Sequence, residues 1–422
     1  MAPWTLTARW VFPVAGPPLQ RGTVTIDGGR ITAVEPHGTR AADVDLGNAA
    51  VLPGLVNAHT HLDLSGARGL APPAPSFTAR LFQRIAHGSE TNFTSWLRKV
   101  VAFRRSRTPD EVQADIRAGQ EECLRSGTTL VGDIASGGAS WEALANASLR
   151  AVVFFELLGV TEERAERAAG AAKDWLISRQ ATPTCRPGIS PHAPYSVRAG
   201  LFGDAIALAH NHQIRLAMHL AETAAEGELL QRRRGPFVAF LKELGAWDPE
   251  GLLKGPPTRA LRLWSLPIPA LFIHANFLPP TAAVSRLTTI VYCPRTHAAF
   301  GHPPHPFRDF LRRGVRVALG TDSLASNPDL DLLAEARFVH KHYPDVPGDV
   351  LLRMATLSGA EALGWADETG SLEPGKSADL VVLPLPDADA ADPHELVFAS
   401  SLPVRAVLFR GRWVFDGSPA AR

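Results

Sequence analysis

Eight short apolar segments, separated by stretches of helical character, recur through the middle of this 422-residue chain. They are Leu52–Ala58, Thr128–Ile134, Ala151–Leu158, Gly188–Pro191, Arg215–His219, Ala270–His274, Thr289–Cys293 and Arg316–Gly320. Short apolar runs are typical of parallel strands that are buried on both faces. Eight of them with intervening helices predict a (β/α)8 barrel. A doubly wound parallel sheet is the alternative, because periodicity alone does not distinguish these two α/β architectures.

One intervening helix has explicit start and stop signals. Residues 108–111, Thr-Pro-Asp-Glu, form a capping box with proline at the first helical position. Val112, Ile116 and Cys123 then fall on one face, and Gly127 is placed to end the helix. Residues 224–268 are rich in arginine, glycine and proline, which predicts an elaborated loop after the fifth strand. A proline cluster at 303–306 predicts another irregular segment after the seventh strand.

Both ends of the chain have the pattern of β structure. Residues 22–34 alternate apolar and polar side chains around an Asp-Gly-Gly turn, which is a hairpin signal. Residues 378–383 and 404–415 are further short strand candidates. We therefore expect an α/β (β/α)8 TIM barrel with a small β-sandwich domain formed by the N- and C-terminal segments. The expected boundaries are 1–51 and 363–422 for the small domain, and 52–362 for the barrel.

Composition narrows the class of protein. Lys plus Arg is 43 against 42 Asp plus Glu, so charge gives no reason to expect nucleic acid or an anionic membrane as a partner. The three cysteines are far apart and form no CxxC motif, which indicates reduced thiols rather than a disulfide framework. Neither a signal-peptide pattern nor an apolar run of about 20 residues is present. We expect a cytoplasmic protein that acts on a small molecule.

Potential metal ligands follow several of the predicted strands. His59 and His61 alternate on an extended segment, so their imidazoles point the same way, although backbone hydrogen bonds alone could also explain them. His219 ends the fifth strand and Asp322 follows the eighth, where a buried lone carboxylate is costly unless it is paired or bound to a metal. This mixed nitrogen and oxygen set suits zinc or iron. The carboxyl ends of barrel strands are where active sites are built, so we predict a metal site there.

Three more residues have related placements. Glu222 follows His219 by three positions, His274 ends the sixth strand and His192 follows the fourth. His274 could be a fifth ligand or could orient a metal-bound water, and His192 could reach a substrate. Each histidine taken alone could equally be a hydrogen-bonded loop residue.

The order of these motifs resembles the amidohydrolase superfamily, in its branch of chlorohydrolase-like enzymes and nucleoside or purine deaminases. The matching segments are PGLVNAHTHLDLSGARG, SPHAPYS, MHLAET, IHAN, CPRTH and LGTDSLASN. The segment GSLEPGKSADLVVL also resembles the stretch in which such chains re-enter the small β domain.

The resemblance implies a role for each residue. One divalent metal, Zn²⁺ in first place with Fe²⁺ also suited, would be held by His59, His61, His219 and Asp322. Glu222 would shuttle protons, His274 would position the water and His192 would contact substrate. A single metal is implied because the fourth-strand segment GISPHAPYS lacks the lysine that two-metal relatives often carry there.

These parts predict a hydrolytic deaminase. Zinc would lower the pKa of its water toward about 7. Asp322 would take the released proton, and the oxygen would attack a ring carbon that bears an amino group. Glu222 would protonate the ring nitrogen, and ammonia would leave. Zinc deaminases of another fold combine a metal-activated water with a glutamate in the same way.

The prediction of a substrate depends on one motif that differs from the form usual in this branch. CPRTH stands where CPxSN is usual, so His297 replaces the asparagine. This variant resembles a subgroup, the aminodeoxyfutalosine deaminases of the alternative menaquinone route. Their benzoate-bearing substrate would favour a cation, and Arg68, Arg98 and Arg295 are candidates, although Arg295 could also be structural. Glu156, which ends the third strand, could bind ribose hydroxyls or cap a helix.

Other functions are compatible with the same motifs. S-adenosylhomocysteine or methylthioadenosine deamination is the alternative within the adenosine derivatives, and triazine chlorohydrolase or aminohydrolase chemistry is an alternative outside them. A catalytically dead metal-binding barrel is the non-enzyme alternative, although Glu222 and Asp322 beside three histidines count against it. Homodimers are common for such barrels, but the sequence carries no interface signature.

Overall fold

The structure is a computed structural model that describes residues 2–70, 90–263 and 268–417. Within them, the eight middle strands form one parallel sheet in chain order, which confirms the predicted barrel. Its strands are Leu55–Thr60, Thr128–Ser136, Arg150–Leu157, Cys185–Pro191, Arg215–Leu220, Ala270–His274, Thr288–Tyr292 and Arg316–Leu319.

Backbone hydrogen bonds join the eighth strand to the first. The N–H groups of Thr321 and Asp322 both lie 3.1 Å from the carbonyl oxygen of His59 and donate to it. This closure excludes the open doubly wound sheet. It also brings the end of the eighth strand directly beside the histidine pair that ends the first.

Side chains alternate between two cores along each barrel strand, as the twofold strand period requires. In the third strand, Val152 and Phe154 belong to the core inside the barrel. Val153 and Phe155 face the other way and belong to the larger core beneath the outer helices. Burial on both faces explains why these strands are apolar runs rather than alternating sequences.

The start of the first barrel strand differs from the prediction. Leu52 lies in a separate strand, Ala49–Pro53, which pairs with strands of the terminal segments. The barrel strand begins at Leu55, after Gly54. A side chain at Gly54 would collide with Thr129, because an added Cβ would lie 1.9 Å from its Oγ1 atom. Glycine therefore lets the chain cross closely from one sheet to the next.

The terminal segments form two small sheets. In sheet order, the first contains Arg30–Glu35, Thr23–Asp27, Trp4–Thr7 and Val44–Asp45. The second contains Arg412–Asp416, Ala406–Phe409, Leu380–Pro384, Ala49–Pro53, Trp10–Val11 and Leu19–Gln20. Apolar side chains of both sheets share one core, including Leu6, Val24, Val51, Leu380 and Leu408. This arrangement agrees with the expected small β domain of N- and C-terminal strands.

The expected hairpin near the N-terminus is present. Thr23–Asp27 pairs antiparallel with Arg30–Glu35. The two turn residues between them, Gly28 and Gly29, have φ values of 55° and 83°. Positive φ at both central positions is the geometry that favours glycine in a two-residue hairpin turn.

The described helices are Glu90–Ser106, Pro109–Arg125, Trp141–Ala145, Glu162–Ser178, Ala199–Asn211, Ala224–Arg232, Pro236–Glu243, Thr258–Leu263, Pro294–Ala299, Phe307–Arg312, Leu332–His342, Gly348–Met354, Leu357–Leu363 and His394–Phe398. The predicted capping box is confirmed, since the Thr108 side chain accepts from the Glu111 N–H and the Glu111 carboxylate accepts from the Thr108 N–H. Across the described part of the chain, no helix combines the length and apolarity needed to cross a membrane.

The prediction of a long loop at 224–268 was wrong. Its described residues form three helices, Ala224–Arg232, Pro236–Glu243 and Thr258–Leu263. Thr223 caps the first through the N–H of Glu226, and a proline starts the second. The glycines and prolines therefore mark boundaries between short helices, which local composition did not distinguish from a loop.

Candidate active site

The four predicted metal ligands converge at the carboxyl ends of the barrel strands. His59 Nε2 and His61 Nε2 lie 3.4 Å and 3.9 Å from Asp322 Oδ1. His61 Nε2 is 3.3 Å from His219 Nε2. His274 joins the cluster, because its Nε2 atom lies 4.0 Å from Asp322 Oδ2. Donor atoms of two overlapping sets lie within 4.8 Å of one another: His59 with His219 and His274, and His59 with His61 and Asp322.

The unpaired nitrogens of this cluster fit a metal ion. Both ring nitrogens of His59 and the Nδ1 atom of His61 are buried and have no hydrogen-bond partner among the described residues. His219 Nδ1 lies 3.0 Å from the carbonyl oxygen of His192, so it must donate there and leave Nε2 free to bind a metal. Imidazole nitrogens with one carboxylate are a donor set suited to zinc or iron.

The histidines are in the protonation state that a metal requires. Burial lowers the pKa of His61, His219 and His274 well below the ordinary histidine value. Neighbouring imidazoles lower the pKa of all three further, since protonated rings would repel one another. At neutral pH their imidazoles are therefore uncharged, which is the form that can bind a metal through a ring nitrogen.

Two residues of the cluster have unusual backbone conformations. His274 and Asp322 have φ values of 67° and 63°, in the left-handed region that non-glycine residues seldom adopt. His305 supports the first, because its Nε2–H donates to the His274 carbonyl over 2.6 Å. Ser326 Oγ and the Ser323 N–H donate to the Asp322 carboxylate over 2.7 Å and 2.8 Å. Such strain is typical of residues that the surrounding structure positions for function.

Glu222 is buried beside the cluster, with Oε1 at 3.3 Å from His274 Nε2. Burial raises the pKa of Glu222 well above its ordinary value, and the carboxylates of Asp322 and Glu226 add to the effect. A bound cation would oppose this rise. Glu226 accepts the backbone N–H groups of Ala221 and Glu222, which fixes the position of the Glu222 backbone. The Glu222 carboxyl group can therefore hold a proton close to the proposed metal ligands.

A cavity of about 300 Å³ opens above the cluster. His61, His219, His274, Asp322 and Glu222 lie among its lining residues. Much of its wall is apolar and is supplied by two helices, with Trp96, Leu97, Val100 and Val101 from the first and Phe240, Leu241 and Leu244 from or just after the second. Apolar walls around a few convergent polar groups are typical of small-molecule sites.

A buried polar network forms another side of the cavity. Arg104 donates to Glu156 Oε2 over 2.8 Å and lies 3.2 Å from Asp63 Oδ2. Burial alone would raise the pKa of Glu156, but the Arg104 guanidinium and His192 together hold it below its ordinary value. The other oxygen, Oε1, lies 3.9 Å from His192 Nε2. Glu156 is thus a carboxylate in the cavity wall, with one oxygen held by arginine.

Replacing Arg104 with methionine is expected to destabilise the protein by about 3–5 kcal/mol, because the buried Glu156 and Asp63 would lose their shared cation. Denaturant unfolding measures this change. Arg104→Lys is the matched control, because it keeps the charge but not the bidentate geometry of the guanidinium. Its free energy of unfolding should lie between those of Arg104→Met and the unmodified protein. Equal stability of Arg104→Met and the unmodified protein would contradict the structural role.

The structure places three of the predicted substrate contacts outside the lining of this cavity. The Arg295 guanidinium forms ion pairs with Glu335, at 2.6 Å, and with Asp329. Arg295 is not one of the described residues that line the cavity. His297 Nε2 donates to the Pro303 carbonyl over 2.9 Å, also away from the lining. Arg68 pairs with Glu122 and likewise lies outside the lining.

The remaining carboxylate candidate, Arg98, forms a surface ion pair with Glu243 at 2.6 Å. Among the described residues, the arginines that line the cavity are Arg104, Arg105 and Arg164. Sequence reasoning missed them because Arg104 and Arg105 are ordinary as the last turn of a helix, and Arg164 is ordinary as a helix-surface residue. Only the packing of helix Glu90–Ser106 across the barrel mouth gives Arg104 and Arg105 access to the cavity.

Comparisons with known proteins agree with this geometry. Residues 50–414 match the Amidohydrolase family. A curated relative from Moorella thermoacetica, named 5-methylthioadenosine/S-adenosylhomocysteine deaminase, is 30% identical over 411 residues, which cover 91% of this chain and 85% of the relative. The crystal structure of Helicobacter pylori aminofutalosine deaminase in complex with methylthio-coformycin superposes with a TM-score of 0.81 at 23% identity, covering 98% of this chain and 100% of that one. A zinc-bound adenosine deaminase from Xanthomonas campestris gives 0.72 at 25% identity, with 98% and 93% coverage. Since the match spans the barrel and the strands that flank it, the chain belongs to the amidohydrolase family.

Proposed function

We propose that this protein is a metal-dependent deaminase of an adenine-containing nucleoside. The observation that carries the proposal is the placement of Glu222 at 3.3 Å from His274, beside the histidine and aspartate cluster, at the base of an apolar cavity. Curated relatives named as deaminases of adenosine derivatives support the same reaction class.

Each group in the cluster has a separate task in this proposal. His59, His61, His219 and Asp322 would hold one divalent metal, with zinc in first place. When bound, the metal would act as a Lewis acid and make water a better nucleophile near neutral pH. Asp322 would accept a proton from the attacking water on a carboxylate oxygen.

Glu222 and His274 would complete the reaction. Glu222 would give a proton from its carboxyl group to the ring nitrogen next to the attacked carbon. Asp322 would pass the proton taken from the water to the amino group, which leaves as ammonia, and the remaining hydroxyl proton would return to the Glu222 carboxylate. The His274 imidazole, held by its strained backbone and 4.0 Å from Asp322 Oδ2, would orient the water.

The network on the cavity wall suits the sugar. Arg104 binds Oε2 of Glu156, and the other oxygen, Oε1, lies 3.9 Å from His192 Nε2. We assign this oxygen to ribose hydroxyls and His192 to a substrate contact near the metal, since both line the cavity. A buried carboxylate that accepts hydroxyl protons would disfavour analogues that lack them.

The first candidate substrate is 6-aminodeoxyfutalosine, in the futalosine route to menaquinone. Arg105 and Arg164 are the cations we now assign to its benzoate group, in place of Arg68 and Arg295. Arg105 is exposed and has no ion-pair partner among the described residues, whereas Arg164 donates to the Leu244 carbonyl over 3.0 Å. The apolar wall beside them would contact the ring of the benzoate.

The second candidate is the deamination of methylthioadenosine or S-adenosylhomocysteine. It is favoured by the relatives from Moorella thermoacetica and Syntrophobacter fumaroxidans, which carry that name at 30% and 31% identity. The apolar wall would suit a thioether substituent equally well.

Ammonia release from a substrate panel tests the proposal. The panel contains 6-aminodeoxyfutalosine, methylthioadenosine, S-adenosylhomocysteine, adenosine and a chlorinated triazine, and the metal-loaded protein is compared with its Glu222→Gln variant. We expect kcat/KM to be highest for 6-aminodeoxyfutalosine. A higher value for methylthioadenosine or S-adenosylhomocysteine would replace it with the second candidate. Chloride release from the triazine alone, or no turnover at all, would overturn the deaminase proposal.

A further inference from the structure

A second cavity lies at the other end of the barrel. Its volume is about 200 Å³, and it adjoins a cleft of about 600 Å³ with which it shares Gly28, Gly29 and Arg410. Arg150 and Arg186, which line it, are in the first two residues of the third and fourth barrel strands. The candidate active site is at the carboxyl ends of the strands, so this cavity is on the opposite face.

The cavity has an excess of positive charge. Among its lining residues are one carboxylate, Glu368, and four arginines, namely Arg30, Arg150, Arg186 and Arg410. Asp379 pairs with Arg150, and Glu368 pairs with Arg30 at 3.2 Å. Within the described parts of the chain, neither Arg186 nor Arg410 forms an ion pair with a carboxylate.

Buried donors in the same wall lack acceptors. The Nε atom of Arg150 and the Nε1 atom of Trp365 are buried and have no hydrogen-bond partner among residues 2–70, 90–263 and 268–417. Each of these residues is only 2% exposed. Both atoms have almost no accessible surface and lie behind the cavity wall. A buried donor without an acceptor costs free energy, so these groups add to the uncompensated polar character of this wall.

Arg186 is held in place at this cavity. Its guanidinium carbon lies 3.6 Å from the centroid of the Trp365 ring, and one Nη atom donates to the Gly364 carbonyl. These contacts use one of its five N–H donors and leave the cation without a counter-charge. Burial accordingly lowers the pKa of Arg186, although Asp367 and Glu368 partly oppose the effect.

We propose that this cavity is a binding site for a phosphate group, either inorganic phosphate or a phosphomonoester. Arg186 and Arg410 would supply both the unmatched positive charge and the N–H donors. Guanidinium groups match the geometry of phosphate oxygens, and charge-assisted bonds of this kind are strong. The adjoining 600 Å³ cleft gives space for the organic part of a phosphomonoester.

Thermal unfolding with increasing inorganic phosphate or ribose 5-phosphate tests the site without any need for activity. At 100 times the dissociation constant, we expect phosphate to raise the Tm by about 2–4 °C. Arg410→Asn should abolish the shift, because asparagine tolerates the φ of 52° at this exposed position while the charge is lost. Arg186→Met should also abolish it, but its loss of packing on Trp365 makes it the riskier variant for folding.

Arg21→Asn is the matched control, since Arg21 also has a left-handed φ, of 51°, and does not line this cavity. The control should keep the full shift. A larger shift with ribose 5-phosphate than with phosphate would assign the site to a phosphomonoester, and equal shifts would assign it to phosphate alone. No shift with either compound, or an equal shift in Arg410→Asn and Arg21→Asn, would overturn the proposal.

Discussion

Replacing Glu222 with glutamine is expected to lower kcat by about 10²–10⁴-fold while the metal content per chain stays unchanged. Glutamine has nearly the same shape but cannot deliver a proton to a substrate nitrogen. Glu222 is not among the four proposed metal ligands, so the metal should remain. Steady-state ammonia release and metal analysis of the same protein preparation measure the two quantities together.

Glu228→Gln is the matched control for this prediction. Glu228 lies on the helix that follows Glu222 and pairs with Arg234 at 2.7 Å, away from the cavity lining. It should have unchanged kcat and metal content. Full activity of Glu222→Gln would remove Glu222 from the proton-transfer role, and loss of metal in that variant would make it a ligand instead.

Loss of the metal is expected to have the largest effect of all. We expect a chelator to reduce ammonia release to the background rate, and we expect His59→Ala to bind less than a tenth of the metal of the unmodified chain. His59 is 0% exposed, and neither ring nitrogen has a hydrogen-bond partner among the described residues, so its removal would take away a proposed ligand that nothing else replaces. Changes in residues that merely support metal ligands already cost about 10–100-fold in affinity or activity.

Reconstitution of the chelated protein separates the two candidate metals. Zn²⁺ should restore activity most fully, and greater recovery with Fe²⁺ would reassign the cofactor. His210→Ala is the control variant, because His210 is an exposed histidine on the helix Ala199–Asn211. Activity that survives both chelation and His59→Ala would exclude the proposed metal centre.

Local sequence pattern predicts best those strands and helices whose residues are all buried to a similar degree. All eight barrel strands are fully or largely buried, so most of them are predominantly apolar segments that mark a strand without knowledge of their neighbours. The proposed metal ligands were recognisable for a related reason. A polar or ionisable side chain such as Asp322 at the end of such a run is costly unless its environment compensates for it.

The region after the fifth strand shows where local pattern failed. Gly235 precedes a helix there and Pro236 starts it, yet glycine and proline are also common in loops. Which interpretation holds is decided by packing, because Phe237 and Phe240 are buried against Tyr195 and the helix Glu90–Ser106. A short helix of this kind gains most of its stability from such tertiary contacts.

The sequence by itself determined the barrel, the strands at both termini and the residues that could bind a metal, because burial and strand ends leave a local signature. The tertiary structure decided which charged side chains reach the cavity. Arg295 looked available in the sequence but is held by Glu335 and Asp329, whereas Arg104 gave no local signal and pairs with Glu156 in the cavity wall. An arginine side chain is long and always charged, so its position depends on which carboxylates the fold brings within reach, and that is a property of distant parts of the chain.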